Sequence, residues 1–136
     1  MKSVILAFII AFGGVAFADG GCVDANGVDI DNNPEAFIPL IAAQKSCYEA
    51  ATLANACAWG SSMDVTTAGT AYDVCATELA TYKPSKKTRF QLYTMRQQCV
   101  DKYSNIQGTM YMSMDAFCQL EAIQWIIGIA SPADEG

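Results

Sequence analysis

The stretch MRQQCVDKYSNIQGTMYMSMDAFCQLEAIQWIIGI, residues 95–129, decides the fold. It reads as a helix, a turn at Gln107-Gly108-Thr109, and a second helix, with Cys99 and Cys118 almost symmetric about the turn. The first helix carries Leu92, Met95, Cys99, Tyr103 and Ile106 at helical spacing, and the second carries Met114, Phe117, Cys118, Trp125, Ile126 and Ile129. In an antiparallel helical hairpin, residues equidistant from the turn lie at equal height. Cys99 is therefore expected to bridge Cys118. The same register sets Arg96 beside Glu121, Lys102 beside Asp115 and Leu92 beside Trp125.

Upstream, Asn33-Pro34-Glu35 supplies an N-cap, a proline at the first turn and an early carboxylate. With Pro39 inside, the first helix is kinked or properly begins near Ile38. Phe37, Leu40, Ile41, Cys47, Tyr48, Ala51, Ala54 and Ala58 then recur at helical spacing up to Trp59-Gly60. Ser61 or Ser62 caps a second helix carrying Met63, Ala68, Tyr72, Cys75, Leu79 and Tyr82, which Pro84 ends; Ser85 or Thr88 opens the next. No period-two alternation occurs. The expected fold is all-α: a small four-helix, disulfide-stapled bundle preceded by an irregular acidic loop.

Cysteine spacing extends the argument. Cys47 and Cys57 stand about 15 Å apart on a straight helix, too far for a bridge, which needs Cα atoms within about 7 Å. Cys47 and Cys75 lie symmetrically about Ser61, which leaves Cys22 for Cys57.

The first 18 residues read as an export signal: Lys2, an apolar run from Val4 to Phe12, and an Ala16-Phe17-Ala18 cleavage site. Asp19 stands where a lipid-attachment box before Cys22 wants an apolar residue. The expected product is a single secreted, or periplasmic, helical domain over residues 19–136 with no membrane span. Its six cysteines then enter an oxidising compartment, where three bridges are the default. The tail from Ala133 to Gly136 is expected to fray.

Fourteen acidic residues face eight basic ones, one of which, Lys2, leaves with the signal. Such a balance disfavours nucleic acid and favours basic partners. Asp19, Asp24, Asp29, Asp31 and Glu35 occupy residues 19–35 without a basic residue, whereas Lys83, Lys86, Lys87, Arg89, Arg96 and Lys102 gather between 83 and 102. The basic cluster reads as a solvated helix face. In the acidic segment, a calcium loop with Asp24 first, Asn26 third and Glu35 twelfth would put Val28 at a ligand position and Asp29 where the turn needs glycine. The reading there is a flexible acidic segment.

The chain holds no histidine, so no Ser or Cys nucleophile has an obvious base, and no C-x-x-C or glycine-rich phosphate loop is present. A non-enzymatic protein without cofactor is expected. Met110-Tyr111-Met112 lies beside the turn: packed against the acidic loop it is core, and exposed it is a contact surface.

Cys47 to Cys57-Ala58, Arg96 before Cys99, Gly108-Thr109-Met110-Tyr111 and Ala116-Phe117-Cys118 follow an order that resembles the lysozyme-inhibitor LprI-like N-terminal domain family, over residues 47–126. The sequence departs from that pattern at Val65-Thr66 and Gly69-Thr70, at Ile126 where the family has arginine, and in the additional Cys22 and Cys75. The resemblance implies a helical binding protein, an inhibitor of lysozyme or of another basic extracellular partner. The alternatives are a carrier of a small hydrophobic ligand and an extracellular matrix or structural protein.

Overall fold

A computed structural model describes residues 21–131. The leader, Asp19 and the tail beyond Ser131 lie outside the described residues. Five helices follow in order: α1 Pro34–Ala42, α2 Cys47–Ala56, α3 Met63–Thr81, α4 Lys86–Tyr103 and α5 Thr109–Ala130. Among the described residues there is no strand, only an isolated bridge between Val23 and Asp29. The all-α reading holds, with one helix more than the expected four.

The extra helix arises because the helix expected to run from residue 34 or 38 to Gly60 is two. Ser46 caps α2, its side chain accepting from Glu49 N, while the Glu49 carboxylate accepts from Lys45 N at 3.2 Å. This reciprocal arrangement, one residue offset from the usual capping box, satisfies donors that a continuous helix would have used internally. Glu78 of α3 adds a third acceptor, taking the Cys47 N–H at the start of α2.

Cys47 is thus held twice by α3, through Glu78 and through its disulfide to Cys75. The other bridges join Cys22 to Cys57 and Cys99 to Cys118, with Cα atoms 4.7 and 5.8 Å apart. They are the three pairs the spacing suggested. Each closes a loop long enough to remove roughly 3–4 kcal/mol of unfolded-chain entropy in the loop-closure account. Three disulfides suit an oxidising compartment, and no helix among the described residues is long and apolar enough to cross a membrane.

At the centre α5 packs most extensively on α3 and then on α4. Phe37 and Ile41 of α1 and Leu120, Ile123 and Ile126 of α5 belong to one fully buried core, with α1 seated on α3 and α2. Ala50, Ala51 and Ala54 of α2 and Ala68 and Ala71 of α3 line it, small enough for the helices to approach closely.

The core face of α5 differs from the expected one. Met114, Trp125 and Ile129, expected inside, are exposed. At 100° per residue they cluster around Cys118, while Leu120 lies about 200° and Ile123 about 140° from it. Cys118 points at α4, an outer helix whose only buried residue is Cys99, and the core lies on the opposite face. Cys118 marks the bridged neighbour of α5, not its core face. Ile106, past the end of α4 in the turn before α5, is exposed as well. In α3 the buried stripe is Asp64, Thr67, Ala68, Ala71, Cys75 and Leu79, one position on from exposed Met63.

The segment before α1 is organised, not a flexible loop. Asp24 Oδ1 accepts from Asn26 N at 2.8 Å and Val28 N at 3.0 Å, and Asp29 Oδ1 accepts from Asp31 N at 2.9 Å. These Asx turns, Ile30 N donating to Cys22 O and the Cys22–Cys57 bridge tie it to the end of α2.

Candidate functional site

Two surfaces gather the polar chemistry of this fold, both built from α3 and α5. The first begins at a buried carboxylate. Asp64, in the first turn of α3, is fully buried. The chain leaves α2 through Gly60, whose φ of 68° lies in the left-handed region that glycine enters freely. That turn aims two successive amides at Asp64: Trp59 N donates to Oδ1 at 2.8 Å and Gly60 N to Oδ2 at 2.7 Å. Successive N–H groups in such a turn form a cradle for negative charge. Ser113 of α5 supplies the third donor, its hydroxyl reaching Asp64 Oδ2 at 2.6 Å.

This network fixes what surrounds it. Met63 and Val65 flank Asp64 in the chain, and Met112 and Met114 flank Ser113. Val65 and Met112 line one groove, and Trp59 and Met63 line a second with Pro34 and Phe37. Trp59, Met63, Val65, Met110 and Met112 are all exposed, so one end of the bundle presents a thioether- and indole-rich surface. Tyr111 of the expected contact edge is half-buried. The acidic segment joins this same end: Cys22 is bridged to Cys57, two residues before Trp59, and Pro34 sits between Asp31 and Glu35 in the chain.

The second surface is the groove between α3 and α5, about 600 Å³, floored by Ala68, Gly69 and Ala116. Arg96 reaches it from α4, its Nε donating to Gln119 Oε1 at 2.9 Å and its guanidinium lying 4.6 Å from the Tyr72 ring centroid. Gln119 Nε2 in turn donates to Asp115 Oδ1 at 3.1 Å. Burial raises the Tyr72 phenol above its ordinary pKa of 10.0, against the opposing pull of Arg96.

The expected partner of Arg96 was Glu121, and that of Lys102 was Asp115; neither ion pair forms among the described residues. Arg96 bonds Gln119 instead, and Lys102 lies over Tyr103 at 5.1 Å. The cause is the sense of helix rotation. In an antiparallel pair, positions three before one seam residue and three after the other share a height but turn about 60° to opposite sides of the seam. Arg96 therefore shares a flank with Asp115 and Gln119, whereas Lys102 shares the other with Glu121 and Trp125. The expected Leu92–Trp125 apolar pair also separates: Leu92 faces a groove of α3, and Trp125 is exposed beside Met95.

At the far end of α3, Glu78 accepts from Cys47 N and from the Tyr82 hydroxyl, the latter at 3.0 Å. The Glu78 hydrogen bond, then burial, raise the Tyr82 phenol above 10.0. The calcium candidates are not gathered as ligands. Asp24 is engaged in its own turn, Glu35 stands in the first turn of α1, and no group of three or more acidic or cysteine side chains among the described residues could hold a metal ion.

Asp64, Ser113 and Gln119 are absent from the sequence-based expectations, and Tyr72 enters there only as a residue of a helix stripe. Asp64 had a signal: Ser61-x-x-Asp64 matches the pattern of a helix start. Ser113 had none. Compared with protein families, with characterised proteins and with solved structures, the chain matches none.

Proposed function

We propose that this protein is a secreted, non-enzymatic binding protein whose contact surface is the end of the bundle where α3 and α5 begin. The carrying observation is the Asp64–Ser113 contact, which places exposed Met63 and Val65 beside exposed Met112 and holds them in a stapled scaffold. Thioethers and an indole adapt to an apolar partner surface at little cost, and they are enriched where proteins bind one another. Carboxylates of residues 24–35 border the same end, and the chain carries a net negative charge, so the partner class is a basic extracellular protein. A basic lysozyme is the first candidate, in keeping with the LprI-like order of motifs.

The absence of histidine supports a binding role over catalysis. The test is lysozyme activity titrated with the oxidised mature protein. Loss of cell-wall hydrolysis at stoichiometric excess, relieved by Met112→Glu, is the expected result; unaltered hydrolysis removes lysozyme as the partner.

One observation favours a second reading. The groove lined by Pro34, Phe37, Trp59 and Met63 is about 440 Å³ and mostly apolar, which suits a small hydrophobic ligand. A fluorescent lipid probe that quenches Trp59 and is displaced by fatty acid supports this carrier role, and absence of probe binding removes it.

A further inference from the structure

At the opposite end of the bundle the charge reverses. Residues 79–100 contain Lys83, Lys86, Lys87, Arg89 and Arg96 and no carboxylate, in a chain with only eight basic residues. Lys86, Lys87 and Arg89 crowd the start of α4, where the helix dipole favours acidic side chains and none is present. Local electrostatics alone disfavour this arrangement.

The same helix carries its aromatics outward. Lys86, Phe90, Tyr93 and Gln97 follow one another at intervals of four, three and four, within an arc of about 60° at 100° per residue, and Cys99 lies about 180° from Phe90. Phe90 and Tyr93 are 69% and 60% exposed, the two highest values among the large apolar side chains described. α4 packs closely against α5 alone, so nothing within the described fold covers this ridge. Arg89 and Arg96 flank it on one side and Lys87 on the other.

A third feature lies next to the ridge. Between the end of α3 and the start of α4 is a half-open groove of about 460 Å³, floored by Ala76, Leu79, Ala80 and Leu92, with Lys83 and Arg89 at its mouth. Lys83 holds a left-handed backbone, φ 48°, which lysine rarely adopts, as the chain turns from α3 toward Pro84.

We propose that this face of α4 docks the protein peripherally on an anionic lipid bilayer. Phe90 and Tyr93 enter the boundary between headgroups and acyl chains, Lys86, Lys87 and Arg89 meet the phosphates, and the groove takes a headgroup at the Lys83–Arg89 mouth with apolar chain against Leu79 and Leu92. Two traits select a bilayer over a protein partner or a soluble polyanion. The ridge is convex and one helix wide, which suits a continuous flat interface better than a partner needing some 800 Å² from each side. Exposed aromatics set among single-sign charges add apolar insertion to electrostatic attraction, the two terms by which a peripheral helix holds a membrane surface. The acidic Met/Trp end lies at the other end of the bundle, outside this ridge and free for its own partner.

The experiment is co-sedimentation of the oxidised mature protein with vesicles of phosphatidylcholine, and with phosphatidylcholine carrying a quarter phosphatidylglycerol. Binding is expected to the anionic vesicles alone and to weaken as salt rises. Lys86→Glu with Lys87→Glu abolishes it, and Lys86→Ala alone weakens it about fivefold, the effect of one surface charge. Phe90→Ala with Tyr93→Ala weakens it with the salt dependence unchanged. All four side chains are exposed, and circular dichroism with a free-thiol count verifies that each variant is folded. Equal sedimentation with neutral vesicles, none with either, or insensitivity to the aromatic pair overturns the proposal. Retention by a soluble polyanion such as heparin, with equal affinity for wild type and the Phe90/Tyr93 variant and without vesicle binding, assigns the patch to polyanions and also overturns it.

Discussion

The Ser113 hydroxyl lies 2.6 Å from Asp64 Oδ2, so the first turns of α3 and α5 are fastened to each other through a buried carboxylate that also receives the amides of Trp59 and Gly60. No buried side-chain nitrogen or oxygen among the described residues lacks a partner, so the network is complete as it stands. Breaking it from different sides has unequal effects.

Asp64→Ala removes the shared acceptor of two part-buried amides and of the buried Ser113 hydroxyl. We expect a loss of about 3 kcal/mol or more in denaturant unfolding, against about 1–2 kcal/mol for Ser113→Ala, which leaves the carboxylate its two amide donors. Equal effects would mean that the amides, not the hydroxyl, are dispensable.

Arg96 offers a sharper discrimination. A double-mutant cycle between Arg96 and Gln119 should give a coupling of a few tenths to about 1 kcal/mol, and one between Arg96 and Glu121 about zero. Arg96→Ala also removes the guanidinium from the Tyr72 ring, worth about 0.5–1 kcal/mol at an exposed site.

How much of this was legible in advance depends on what kind of information each feature needs. Equal height about a turn is enough to pair Cys99 with Cys118, because both side chains point straight across the seam. It is not enough for Arg96 and Glu121, because height says nothing about which side of the seam a residue turns to. The break between α1 and α2 is written in Ser46-x-x-Glu49, but the apolar spacing runs on through it and masks the cap. Ser61-x-x-Asp64 carries the pattern of a helix start, but the bond between Asp64 and Ser113 joins residues far apart in sequence, and no local pattern encodes that meeting. Met110 and Met112 could be core or contact until the position of the acidic segment was known.

The α2 cap is testable by itself. Glu49→Ala removes an acceptor from Lys45 N and should cost about 1 kcal/mol, while Ser46→Ala costs about 0.5–2 kcal/mol. Hydrogen exchange at Lys45 and Glu49 should rise in both variants before any global change.

Alkaline pH gives a further readout. The folded protein favours the neutral phenols of Tyr72, through burial, and of Tyr82, through its bond to Glu78. Because both folded values lie above 10.0, their contribution to stability is whole below that pH and is lost as pH rises through the folded values. Ultraviolet titration should show Tyr72 and Tyr82 ionising late. Tyr82→Phe removes one of the late steps and flattens the decline of stability at alkaline pH.

The central claim is that the Met/Trp end, not the rest of the surface, engages a basic protein. Calorimetric titration of a basic lysozyme into the oxidised mature protein tests it most directly, with Met110→Glu/Met112→Glu and Phe90→Ala as paired variants. The account predicts saturable binding that weakens with salt, is lost in the methionine pair and is unchanged in Phe90→Ala. Binding that survives in the methionine pair, or no binding by the wild type at molar excess, would contradict it.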